Sequence, residues 1–412
     1  MNFNQMLENY ATLLVHHGVN IQPGQTLNIT GEIIHRDLMT KVAQKAYKRG
    51  AKFVNIDLVD PWHARQRILE SAQEEYLQYV PQFIPAKFNE LVDTNGAVLR
   101  FQGSEEPDSL SDLPPTKVNT MMSHYRHSLK RYYEDGVGKS KVQWTVAAAA
   151  TPKWGKKVFP QLDEKLAFQK LWEEIFHICR VDRPDFLELW EKHNHTLQNR
   201  AKKLTQLKIE ELHFIGSGTD LKVKLSRKSV FLGGCAIGAR GVPYECNIPT
   251  EECFTTPDYR GTTGKAKVTR PFLVNGKLIK GLSLEFTDGK ITNFDAAEGK
   301  ETFKAYINTD PGACRLGEVA LVGIDSPIFQ SGHVFEEILF DENAACHIAV
   351  GFAYRFCVEG GDHLSPRELE EIGCNDSNVH TDMMISDEQT DVYATTFSGQ
   401  RIPLIIKGNW QI

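Results

Sequence analysis

Near the carboxy terminus the stretch SNVHTDMMIS sets His380 and Asp382 two residues apart. On a strand, residues i and i+2 share a face, so this imidazole and this carboxylate can converge on one centre. The same half of the chain holds NIPTEECFTTPDY with Glu251 and Glu252, RLGEVAL with Glu318, and LFDENAACHIAVGFAY with Asp341, Glu342, His347 and Tyr354. Glu318 stands at the mouth of a strongly apolar run, where a carboxylate needs a cation or several hydrogen bonds to stay ionised. Three or more carboxylates with two histidines, and no thiolate requirement, suit hard or borderline divalent ions such as zinc, cobalt or manganese. Two such ions about 3.5–4 Å apart polarise a carbonyl, activate water and steady the oxyanion formed on attack. Each residue also has a plainer reading. HTD can be a solvated strand face, His347 a satisfied core histidine, and paired glutamates after a proline suit the first turn of a helix.

Other chemistries are missing. GTTGKAK lacks the four-residue gap of a phosphate loop, GSGTDL lacks the third glycine of a dinucleotide fingerprint, and HExxH and GxSxG are absent. The net charge of −6 has its signs interspersed, which argues against nucleic acid as a partner. The local stretch TPKWGKK, which combines three lysines with a tryptophan, reads as a solvated surface segment. The eight cysteines form no CxxC pair, so neither a disulfide framework nor a zinc knuckle is expected. With no run of 18 apolar residues and no signal-like start, the sequence predicts a cytoplasmic protein outside the membrane whose mature chain begins at Met1.

These residues need elements to position them. In the first half TLNIT, AKFVNIDL, AVLRFQG and VQWTVAAAA alternate with helical patterns such as DLMTKVAQKAYKRG, which predicts a parallel sheet covered by helices. Two amphipathic helices follow. In the second, Phe186, Leu189, Trp190, His193, Leu197, Ala201 and Leu204 recur at steps of three and four. From about residue 206 the texture changes to alternating strands, with Asn275-Gly276 and Asp288-Gly289 as hairpin signals. The expected organisation is an α/β domain with a helical extension over 1–205 and a mostly β, metal-binding domain over 206–412.

NIPTEECFTTPD, LGEVALV, LFDENAACHIAVGFAY and the terminal HTD, together with HGVNIQPGQTLNITG near the start, resemble the M29 family of metallo-aminopeptidases segment by segment and in order. The resemblance implies an α/β amino-terminal domain with a mainly parallel sheet, and an α+β carboxy-terminal domain rich in antiparallel strands that carries the metal site. It implies two divalent metal ions, zinc, cobalt or manganese, acting together to remove amino-terminal residues from short peptides, in a homodimer with a large internal cavity. Carried onto this chain, the metal positions fall on Glu252, Glu318, His347, His380 and Asp382. Glu342 is a further ligand or an outer partner, and Tyr354 matches the active-site tyrosine. Either Glu251 or Glu252 can be the ligand, and either Glu318 or Glu252 the bridge. Glu251, beside a ligand, is the first candidate for general base. The alternatives are a dinuclear amidase or phosphoesterase, the latter weakened by the lack of an arginine cluster, and a non-catalytic metal-binding protein.

Overall fold

A computed structural model describes residues 1–412. The chain forms two compact units, Met1–Trp190 with Cys235–Pro249, and Glu191–Gly234 with Thr250–Ile412.

In the first unit, strands Phe53–Val59, Thr26–Glu32, Ala97–Gln102, Gln143–Ala148 and Asn247–Ile248 lie side by side in that order, all parallel. Leu27, Ile29, Ala97, Leu99 and Ala147 have no exposed surface, as expected for strands covered on both faces. Helix Arg36–Lys48 buries Leu38, Met39, Val42 and Ala46 at helical spacing. One expectation needs correcting. TPKWGKK is helix Pro152–Val158, with Thr151 capping the Trp154 amide and proline in the first turn. Trp154 is buried, while Lys153 and Lys157 reach Glu106 and Asp108. The segment is solvated only on its lysine face.

The second unit is antiparallel, as the texture after residue 206 predicts. An eight-stranded sheet contains Ile209–Gly216, Thr219–Lys224, Ser283–Thr287 and Lys290–Asp295. Asn275-Gly276 and Asp288-Gly289 both sit at φ near +50° and +76°, the left-handed pair that a two-residue hairpin turn demands. A second sheet orders Cys253–Thr255, Leu316–Leu321, His347–Gly351 and His380–Met384. Helix Phe186–Gln206 ends where the texture changes, but the division between units falls earlier, after Trp190. Residues 235–249 return to the first unit because Asn247–Ile248 extends its parallel sheet.

Candidate metal centre

The four-stranded sheet has one face for the core and one for chemistry. Its antiparallel register aligns Phe254 with Ala320, Ala320 with His347, Glu318 with Ala349, Ala349 with Asp382, and Gly351 with His380. Opposed residues in antiparallel strands point the same way. Glu318, His347, His380 and Asp382 therefore share a face, with the small Ala320 and Ala349 between them. The intervening Val319, Leu321, Ile348, Val350 and Met383 point the other way and are fully buried in one hydrophobic cluster.

Glu318 reaches the chemical face only through an irregularity. Leu316 pairs with Val350 on the core side, so simple alternation would place Glu318 there as well. Between them the register shifts, and Gly317 is the extra residue of a bulge that turns Glu318 over. No side chain fits at Gly317, since a Cβ there would lie 2.2 Å from the Phe352 carbonyl oxygen and 2.4 Å from that of Gly351.

Two groups of three potential ligands result, Glu252 with Glu318 and His347, and Glu318 with His380 and Asp382. Glu318 belongs to both. His347 Nε2 lies 3.1 Å from Glu252 Oε2 and 3.7 Å from Glu318 Oε1, while His380 Nε2 lies 3.6 Å from Glu318 Oε2 and 3.7 Å from Asp382 Oδ1. Ligands about 2.0–2.1 Å from a tetrahedral ion stand roughly 3.4 Å apart, so these gaps have the size of a coordination shell. Glu252 Oε2 is buried without a hydrogen-bond partner, its nearest cationic neighbour being His347 Nε2 at 3.1 Å. The other ring nitrogens fix the tautomer: His347 Nδ1 donates to the Ala345 carbonyl at 3.1 Å and His380 Nδ1 to that of Phe352 at 2.8 Å. With a cation in place of the Nε2 proton, rings so held would be neutral and turn their Nε2 lone pairs toward it, alongside the carboxylates.

The electrostatics agree. Burial pushes the Glu318 carboxyl up to about 7 against the pull of His347, with the Asp382 and Glu252 charges adding to the rise. Burial, then Asp382 and Glu252, hold Glu342 well above the carboxylate range. His380 is desolvated, yet the Asp382 and Glu318 charges outweigh this and lift it to about 9. Asp382 is held low despite burial by the His380 charge. Four carboxylates crowd two imidazoles out of water, and without added cations the cluster must share protons to hold its charge.

Glu251 does not join these groups. Its carboxylate lies 3.6 Å from His193 and its backbone N–H donates to Asn343 Oδ1 at 2.7 Å. The two glutamates occupy an extended loop entering strand Cys253–Thr255, not a helical first turn. Asp341 is committed to fold: its carboxylate accepts from the Phe335 and Glu337 amides and pairs with Arg270 at 3.1 Å, and burial lifts it to about 6 against that pairing. Tyr354 is half-buried with its ring 5.3 Å from that of His380, stacked on Phe356 at 5.0 Å. Sequence reasoning missed Gly317, Asn343 and the role of His193. The only signals were a glycine before the carboxylate and a histidine on an apolar helical face.

Comparison with known proteins accords with this geometry. A family profile for thermophilic metalloproteases (M29) matches residues 3–410. Aminopeptidase 2 of Geobacillus stearothermophilus is 38% identical over 98% of this chain and 97% of its own. Aminopeptidase T of Thermus aquaticus is 36% identical over 100% and 99%. The solved structure of wild-type AmpT from Thermus thermophilus superposes with a TM-score of 0.92 at 36% identity, covering both chains completely. A match over nearly the whole length, on a sheet face built to receive cations, makes this chain a member of the M29 family of thermophilic metalloproteases.

Proposed function

We propose that the protein is a metal-dependent aminopeptidase that removes amino-terminal residues from short peptides at a dinuclear centre. The observation that carries this is Glu318, whose two oxygens face different histidines and which belongs to both ligand groups. Glu252, His347 and one oxygen of Glu318 would hold one ion, and His380, Asp382 and the other oxygen the second. Bound divalent ions there supply Lewis acidity, lowering the pKa of water and polarising the scissile carbonyl.

The remaining work falls to the chain. The Ala345 and Phe352 carbonyls keep both imidazoles turned inward. Burial on the sheet face excludes bulk water and strengthens each charge. Tyr354, beside the most open of the ligands, can donate its hydroxyl proton to the oxyanion that develops on the carbonyl. Two carboxylates outside the ligand groups are candidates to take the proton from water and return it to the leaving amine. Glu251 adjoins Glu252 in the chain, and Glu342 is buried against Asp382. A free α-amine is bound by whichever carboxylate or ion remains unsaturated, which gives exopeptidase action.

The same reading includes a homodimer, supported by the family resemblance, and a cytoplasmic location, supported by eight free cysteines. The test uses a chromogenic leucine amide with a free or an acetylated amine, with and without chelator. Release from the free amine alone, abolished by chelation and restored by zinc, cobalt or manganese, is expected. Equal cleavage of both would make the protein a general amidase, and full activity after exhaustive chelation would remove the metal from the mechanism.

A further inference from the structure

Helix Phe186–Gln206 buries Phe186, Trp190, Leu197, Ala201 and Leu204, and sets two polar residues, His193 and Asn194, among them. The His193 side chain is only 12% exposed, and Nε2 donates to the Thr250 carbonyl at 2.7 Å while lying 3.6 Å from Glu251 Oε2. One residue further along, the Glu251 amide is held by Asn343 Oδ1 at 2.7 Å, and Asn343 is itself fully buried and donates to the Leu339 carbonyl at 2.9 Å. The Thr250–Glu252 loop is thus gripped from two sides, by the helix and by the turn that carries Glu342. The helix lies directly on the segment: Cys253 Sγ is 3.5 Å from the Leu197 carbonyl, and a Cβ at Gly233 would meet the Glu252 carbonyl at 2.9 Å and that of Leu197 at 3.2 Å. Of the cluster's sheet-face ligands, Glu252 alone precedes its strand rather than standing within it, so no ladder bond of its own fixes its aim.

We propose that His193 is a positioning residue of the metal centre, which by anchoring Thr250 and Glu251 aims the Glu252 carboxylate at the position it shares with His347 and Glu318. The inference rests on Glu252 being a ligand. Anchoring partners of this kind are worth roughly 10–100-fold in metal affinity.

The experiment is competition between the full-length protein and a chromogenic zinc chelator at pH 7.5, read as two stepwise affinities, with the thermal midpoint of the metal-free protein measured alongside. His193→Leu and the milder His193→Asn, too short to reach Thr250, should each weaken one zinc equivalent by about 10–100-fold. The metal-free midpoint should stay close to wild type. His193→Gln, which keeps an N–H donor of similar reach, should restore the affinity to within about threefold of wild type, well inside that range. Glu252→Gln should lose the same equivalent, and adding His193→Asn to it should cost nothing more. Wild-type zinc affinity in His193→Asn with loss in Glu252→Gln overturns the positioning role alone. Wild-type affinity in Glu252→Gln overturns the ligand assignment beneath it. A loss in His193→Gln as large as in His193→Asn, or one matched by a fall in the metal-free midpoint, reduces His193 to a packing residue.

Discussion

Each ring at the centre offers one nitrogen to the cluster and spends the other on a carbonyl. Replacing His347 or His380 by alanine therefore removes a ligand without orphaning a buried donor inside the cluster. We expect folded proteins with more than the roughly 10–100-fold loss of metal affinity or activity that follows from disturbing an outer partner. Elemental analysis and turnover on the same sample check this, and either variant with full metal and full rate removes that histidine from the site. The two candidate proton carriers separate in the same way. Glu251→Gln and Glu342→Gln should both retain metal, and whichever is the base should lose about 10²–10⁴ in kcat. His380 and Asp382 were legible in the sequence because a strand's period of two survives in any register. Glu251 and Glu252 were not separable, because adjacent residues in a loop have no fixed period. Only the His193 and His347 contacts distinguish them.

At the scale of elements, the parallel and antiparallel sheets and both hairpin turns could be read from alternation and from Asn-Gly and Asp-Gly pairs. The bulge at Gly317 could not, because alternation from Leu316 points Glu318 at the core. Its effect is testable. Gly317→Ala forces a methyl group into two carbonyl oxygens, so the Leu316–Leu321 and His347–Gly351 strands must separate locally. Alanine is ordinarily a mild change, yet here we expect about 1–3 kcal/mol of lost stability, as for other overpacked or strained sites. The accompanying loss of metal should exceed that of Ala320→Gly, a change on the same face without a clash. Denaturant midpoints and bound zinc measure both.

Across the whole molecule, the first unit carries its own acid sensitivity. His35 is buried beside the Ala149 and Gly103 carbonyls, its Nδ1 accepting from the Glu32 amide, and burial lowers its pKa to about 4. A base whose folded pKa lies below its unfolded value of about 6.5 takes its proton more readily when unfolded. The associated stability is complete above pH 6.5 and declines as pH falls toward 4, by at most about 3 kcal/mol at 1.36 kcal/mol per unit. Urea midpoints at pH 7.5 and 4.5 should therefore differ more in the wild type than in His35→Gln, and equal differences would rule the residue out. The interleaving of the two units also bears on the order of synthesis. Strand Gln143–Ala148 receives its last neighbour only from Asn247–Ile248, and Thr145 bonds the Glu245 carbonyl there. A chain growing on the ribosome has by then already made residues 191–234, the opening part of the other unit. For about a hundred residues of translation, 5–20 seconds at the usual rate, the nascent first sheet presents an unpaired edge. A product that stopped at residue 205 would keep that edge for good and should be sticky where the full chain is not.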